Sequence, residues 1–116
     1  MADAKTPINL HEAYHAHVYY DAASKPDAEA LRAEIDDRFE TVLGRWHDKP
    51  VGPHPHWSYQ VAFEPDVFAS LIPWLALNRR GLNILLHPET GDAAADHSTH
   101  AMWLGESVEL RLDKLG

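Results

Sequence analysis

The chain of 116 residues contains no cysteine. Disulfide bridges and thiolate metal sites are therefore excluded, and cysteine usage leaves the compartment open. Cations are scarce as well. Ten lysines and arginines stand against eighteen aspartates and glutamates, a formal net charge of −8. A general nucleic-acid binder needs a basic footprint that this balance does not supply. A small anionic substrate is not excluded, because a local arginine cluster overrides the overall sign. Long hydrophobic runs are missing too. The longest, "LIPWLAL" at 71–77, is far too short to span a bilayer. The opening "MADAKTPINL" has no basic region followed by an apolar stretch, so no secretory signal is visible. There is no internal repeat, no low-complexity tract, and none of the H-E-x-x-H, G-x-x-x-x-G-K-[ST], G-x-S-x-G or G-x-G-x-x-G motifs. The expectation is one soluble, cytoplasmic domain over 1–116 with a flexible segment at 1–11, without nucleic-acid or membrane partners.

What the chain does have is histidine, nine in all. Two sit in "HAHVYY" at 15–20 and two in "VGPHPHWSY" at 51–59. Both strings carry the aromatic and β-branched residues of strands, where apolar side chains are the default.

The remaining pattern supplies the frame. "YHAHVYY" at 14–20 predicts a strand. Ser24 with Asp27 resembles a capping box, and Pro26 falls in the first turn. Ala28, Leu31, Ile35, Phe39 and Val42 then recur at spacings of 3 and 4, predicting a helix over 24–43 that stops at Gly44. Residues 45–48 suggest a short strand, "KPVGPHP" a loop, and 56–63 a further strand. Pro65 opens a second helix over 65–78, which Pro73 should kink or split. "LNILLH" at 82–87 is a strand, 88–100 a polar loop, and "HAMWLG" a last short strand. The order β-α-β-β-α-β with one extra C-terminal strand predicts an α+β, ferredoxin-like sandwich. Helices cover one face of such a sheet. The other face then needs a partner subunit or a use, and a homodimer is expected.

Strand alternation sorts the side chains. Ala16, Val18 and Tyr20 share one face with Trp57, Tyr59, Val61 and Phe63, and with Leu82, Ile84 and Leu86. These apolar sets should meet the helices. His15, His17, His56 and His87 then lie on the open face, with Tyr19, Gln60 and Asn83. A lone histidine on a half-buried strand is usually a hydrogen-bonded structural group; four on one face ask for another account. His47, His97 and His100 read as loop or loop-edge residues, and His11 receives no role. The Trp57/Tyr59/Phe63 and Phe68/Leu71/Leu75 stripes read as core, and "RAEIDDRFE" as a solvated helix face.

Clustered neutral imidazoles suit iron, zinc, copper or nickel, and three protein ligands leave positions open for chemistry. A carboxylate from Glu89 or Asp96 would make a two-histidine, one-carboxylate set; three histidines serve equally. Two rival readings share the same pocket. One is a cofactor-free oxygenase or isomerase in a dimeric α+β barrel. The other is a non-enzymatic metal- or small-ligand-binding module.

Four strings, "YHAHVYYD", "LGRWHDKPVGPHPHWSYQVAF", "LNRRGLNILLHPETGD" and "DHSTHAMWLGE", resemble the small DOPA 4,5-dioxygenase family over residues 12–106. The resemblance implies extradiol cleavage of a catechol, such as DOPA, by non-haem Fe(II) and O2. On that basis the open-face imidazoles divide into iron ligands (His17, His56 and His87) and one acid/base, His15, which can also replace a ligand; His54, held between Pro53 and Pro55 at the strand mouth, is the other acid/base candidate. Arg45, Gln60, Asn83 and Tyr19 are the candidates for holding substrate, with Arg79 and Arg80 as further cations.

Overall fold

The computed structural model describes residues 13–115; the segment 1–11, expected to be flexible, lies outside them. Five strands form one sheet in the order β2-β3-β1-β4-β5, with every neighbouring pair antiparallel. They are β1 (Tyr14–Tyr20), β2 (Val42–Leu43), β3 (Trp57–Phe63), β4 (Ile84–Pro88) and β5 (Met102–Leu104). Helix α1 (Lys25–Arg38) links β1 to β2, and α2 (Pro65–Asn78) links β3 to β4. Each connection passes over one strand, so β1 comes to lie between β3 and β4. The element order is the one the sequence pattern predicts, with a four-residue helix α3 (Ala93–Asp96) added in the expected polar loop.

The predicted apolar face is the one that packs on the helices. Ala16, Val18 and Tyr20 of β1, Tyr59, Val61 and Phe63 of β3, and Ile84 and Leu86 of β4 form one buried cluster with Ala28, Leu31 and Ile35 of α1 and Leu71 and Leu75 of α2. Each fully buried leucine or isoleucine contributes roughly 1.5–3 kcal/mol relative to an exposed one. Tyr59 is fully buried and donates its hydroxyl to the Ala28 carbonyl at 3.1 Å, which ties β3 to α1.

Three local expectations are corrected. First, α1 stops at Arg38 rather than running to residue 43. Phe39 turns to extended backbone and sets its ring 5.4 Å from that of Trp74 on α2. Val42 and Leu43 then pair with Ala62 and Val61, a sheet contact that a helix could not make. The strand expected at 45–48 contracts to one bridge between His47 and Ser58. Second, Ser24 is the N-cap residue of α1, but its side chain caps no helix N–H. Its hydroxyl accepts the Asp21 N–H at 2.9 Å, and its own N–H donates to Asp21 Oδ1 at 2.8 Å. The reciprocal box therefore sits three residues early, on the turn. Third, Pro73 does not split α2, which keeps its predicted bounds. Pro73 is exposed, so its ring and missing N–H fall on the solvent side.

The chain itself covers part of the opposite sheet face: His17, Tyr19, Ser58, Leu85 and His87 are buried, while His15, Gln60 and Ala62 are half-exposed. The loop after β2 folds over it: the His54 N–H bonds to the Val51 carbonyl at 3.0 Å, closing a turn through Gly52, whose φ of 53° falls in the left-handed region. The C-terminal segment braces this loop, with the Arg111 N–H on the Pro53 carbonyl at 2.8 Å. Trp103 of β5 stacks beside Tyr19 at 6.1 Å. Among the described residues no helix is long and apolar enough to cross a membrane.

Candidate metal centre

Register explains how β1 and β4 assemble the site. His15 and His87 are direct partners across the antiparallel pair, and His17 lies two residues further along β1 on the same face. The His17 and His87 rings lie nearly parallel with centroids 5.1 Å apart. Their Nε2 atoms approach to 3.0 Å. His15 closes the group, its ring 5.3 Å from that of His87.

Two loops add two more imidazoles. His54 comes from the Val51–His54 turn, with its ring 4.2 Å from that of His17. His97 caps the C-terminus of α3 and lies 4.2 Å from the His87 ring. One ligand atom from each of His15, His17 and His87 falls within 4.8 Å of the others, and the same holds for His17, His54 and His97.

Four of these imidazoles, His15, His17, His54 and His87, are pushed toward the neutral form. Burial keeps His17 well below the usual histidine range, and the surrounding imidazoles add to the effect. Burial likewise brings His54 and His87 down to about 4, and the nearby His97 imidazole adds to the lowering at both. His15 is lowered by burial against the opposing pull of Glu89. A neutral imidazole keeps the lone pair that a metal needs.

The outer ring nitrogens are anchored. His87 Nδ1 donates to the Pro88 carbonyl at 2.9 Å, and His97 Nδ1 to the Ala93 carbonyl at 2.8 Å. His15 Nδ1 lies 3.1 Å from Glu89 Oε1, and His87 Nδ1 is 3.5 Å from the same oxygen. His54 Nδ1 meets the Tyr19 hydroxyl at 2.7 Å. Burial raises the Tyr19 pKa, so the phenol keeps its proton. Asp96 is buried, and its carboxylate is taken up by the Thr90 N–H, the Thr90 hydroxyl and His100 Nδ1 at 2.8, 2.6 and 2.9 Å. These bonds tie down the loop that delivers His97.

Several other residues singled out in the sequence line one of two cavities. One, of about 240 Å³, opens onto the cluster and is lined by His17, His47, His54, Ser58 and Gln60, together with Val51, Gly52 and Pro53. Its lining contains no lysine or arginine. The other, of about 340 Å³, holds His56, Asn83 and Arg80 beside Tyr19. His56 is exposed there, 6.1 Å from the Tyr19 ring, and does not join the other imidazoles. Strand β3 begins at Trp57, so the alternation that would aim His56 inward does not reach it. Arg45 is exposed. Arg79 donates to the Leu82 carbonyl, and Arg80 pairs with Glu34 at 2.9 Å. Sequence reasoning missed His97 and His47. Both sit outside regular strands, where no parity rule applies; for His97 the one signal was its place in the "DHSTH" string.

The donor set fits a metal ion. Neighbouring nitrogen ligands on one ion at about 2.0–2.2 Å lie roughly 3 Å apart, and the His17 and His87 Nε2 atoms already do. Carbonyl or carboxylate partners on the far nitrogens are the usual outer support of such ligands.

Comparison with known proteins bears on the chemistry. The sequence profile of the Dopa 4,5-dioxygenase family matches residues 14–114. A protein of Amanita muscaria named DOPA 4,5-dioxygenase is 34% identical over 111 residues, covering 88% of this chain and 49% of that one. An uncharacterized 21.2 kDa protein of Botryotinia fuckeliana is 34% identical over 113 residues, covering 86% of this chain and 61% of its own length. The chain thus spans about half to three-fifths of these two relatives. A crystal structure from Nostoc punctiforme, described as "a putative dioxygenase", is 53% identical, superposes with a TM-score of 0.89, and covers 90% of this chain and 91% of its own.

Proposed function

The chain belongs to the Dopa 4,5-dioxygenase family, and from that premise we propose that it is a non-haem Fe(II) extradiol dioxygenase cleaving a catechol on a ferredoxin-like sheet. The observation that carries this reading is the convergence of His15, His17 and His87, with ligand atoms within 4.8 Å of one another and two Nε2 atoms 3.0 Å apart. These three side chains would hold the ion. Bound Fe(II) would supply Lewis-acid and redox chemistry for the reaction of a catechol with O2.

The protein's own groups do the rest. The 240 Å³ cavity beside His17 takes one aromatic ring. Gln60, Ser58 and His47 line it and supply the polar groups that would orient the ring. Val51 and Pro53 give that cavity an apolar wall. His54 is close enough to His17 to meet oxygen atoms of a ligand bound there. His56 and Asn83 lie around Tyr19, in the second cavity, and receive no part in holding the ion.

Anaerobic loading with Fe(II), followed by addition of air and a panel of catechols beginning with DOPA, tests the reading. Stoichiometric O2 uptake and a yellow ring-opened product are expected. Equal turnover by the metal-free chain would favour the cofactor-free alternative. Metal binding without turnover of any catechol would favour a binding module.

A further inference from the structure

The imidazoles of the cluster differ in what their Nδ1 atoms touch, and that difference sorts them. A carbonyl oxygen only accepts. His87 and His97 therefore carry their proton on Nδ1, facing Pro88 and Ala93, and Nε2 keeps a free lone pair. Glu89 imposes the same arrangement on His15. His54 is the exception, because its Nδ1 faces a hydroxyl, which can donate. Tyr19 is buried, 4% exposed, and among the described residues its hydroxyl has no other hydrogen-bond partner. A buried O–H pointed elsewhere would go unmet, at a cost of about 1–3 kcal/mol. The phenol proton therefore goes to His54 Nδ1, and the imidazole must carry its own proton on Nε2.

We propose that Tyr19 is a positioning residue that locks His54 as the Nε2–H tautomer, making it a hydrogen-bond donor to an oxygen of the bound ligand rather than a metal ligand. An N–H nitrogen has no lone pair in the ring plane for a metal. It does offer a fixed dipole to an oxygen that gains negative charge, without itself losing a proton. One nearby imidazole is thereby kept off the ion, and a position stays open for substrate. The donor role rests on the dioxygenase reading; the tautomer does not.

The experiment has two arms. Long-range ¹H–¹⁵N spectra of the metal-free chain, with His54 assigned through His54→Gln, read the tautomer directly. Wild type should show His54 protonated at Nε2 alone, and Tyr19→Phe should show a mixture of tautomers. Binding of Co(II), followed by its visible absorption, gives the second readout. Tyr19→Phe should bind Co(II) no more weakly than wild type, yet lose roughly 10- to 100-fold in kcat with Fe(II), KM being little changed. Finding His54 protonated at Nδ1 in wild type overturns the proposal. So does a tenfold or greater loss of Co(II) affinity in Tyr19→Phe, because His54 would then be a ligand. If wild type cleaves no catechol, the dioxygenase reading falls while the spectra still decide the tautomer.

Discussion

His17 and His87 stand 70 positions apart in the chain, and their Nε2 atoms meet at 3.0 Å. Without an ion, one nitrogen must donate to the other. His87 commits its proton to Pro88, so His17 is the donor. Among the described residues no hydrogen bond holds His17 Nδ1, so an ion at Nε2 shifts that proton to Nδ1 with no net release, and acid weakens metal binding only where the imidazoles take up a second proton, at about pH 4 for His87.

Replacing either partner tests the pair. His17→Ala should lose at least 100-fold in Fe(II) or Co(II) affinity, more than the 10- to 100-fold typical of outer supports, and with it all metal-dependent ring cleavage. The far-ultraviolet circular dichroism should be unchanged, since the ring packs among other imidazoles and outside the helix-facing core. Full activity in this variant would end the assignment.

His54→Ala should behave differently. It should bind metal as well as wild type but turn over roughly 100- to 10,000-fold more slowly, the range for loss of a group that handles a proton or a developing charge. Titration with Co(II) alongside steady-state O2 uptake separates the two effects.

Acid should loosen the metal-free chain. Unfolded histidine titrates near 6.5, whereas burial holds folded His54 and His87 at about 4. Above pH 6.5 both states are neutral and these groups add no slope. Between 6.5 and 4 the unfolded chain binds protons that the folded chain refuses, so stability drops as pH drops. Melting curves from pH 7.5 to 4.5 should show Tm falling mainly below 6.5. A Tm that is flat or rises on acidification would contradict the buried, neutral assignment.

Leu31→Ala, in the core between α1 and the sheet, should cost about 2–5 kcal/mol in chemical denaturation. His56→Ala should leave metal affinity unchanged; a large loss would mean that His56 moves into the cluster when an ion is present.

Periodicity made much of this legible. Period-two alternation put His15, His17 and His87 on one face, and the same parity sent Tyr59 and Val61 to the helices. It failed where the backbone stops alternating. His56 lies one residue before β3 begins, and Val42 continued a helical spacing that sheet pairing overrode. His97 and His54 reach the site on turns, whose course depends on side-chain bonds such as Thr90 to Asp96 and on long-range bonds such as Arg111 to Pro53, which strand and helix periodicity do not encode.

The bond from the Arg111 N–H to the Pro53 carbonyl has a practical side. It makes the far end of the polypeptide a mechanical brace for the turn that carries His54. Trimming the chain before residue 111, or fusing a bulky tag close behind it, would disturb catalysis at a distance while sparing the three strand histidines. A preparation altered in this way would still capture metal and look sound by that assay, yet run slowly.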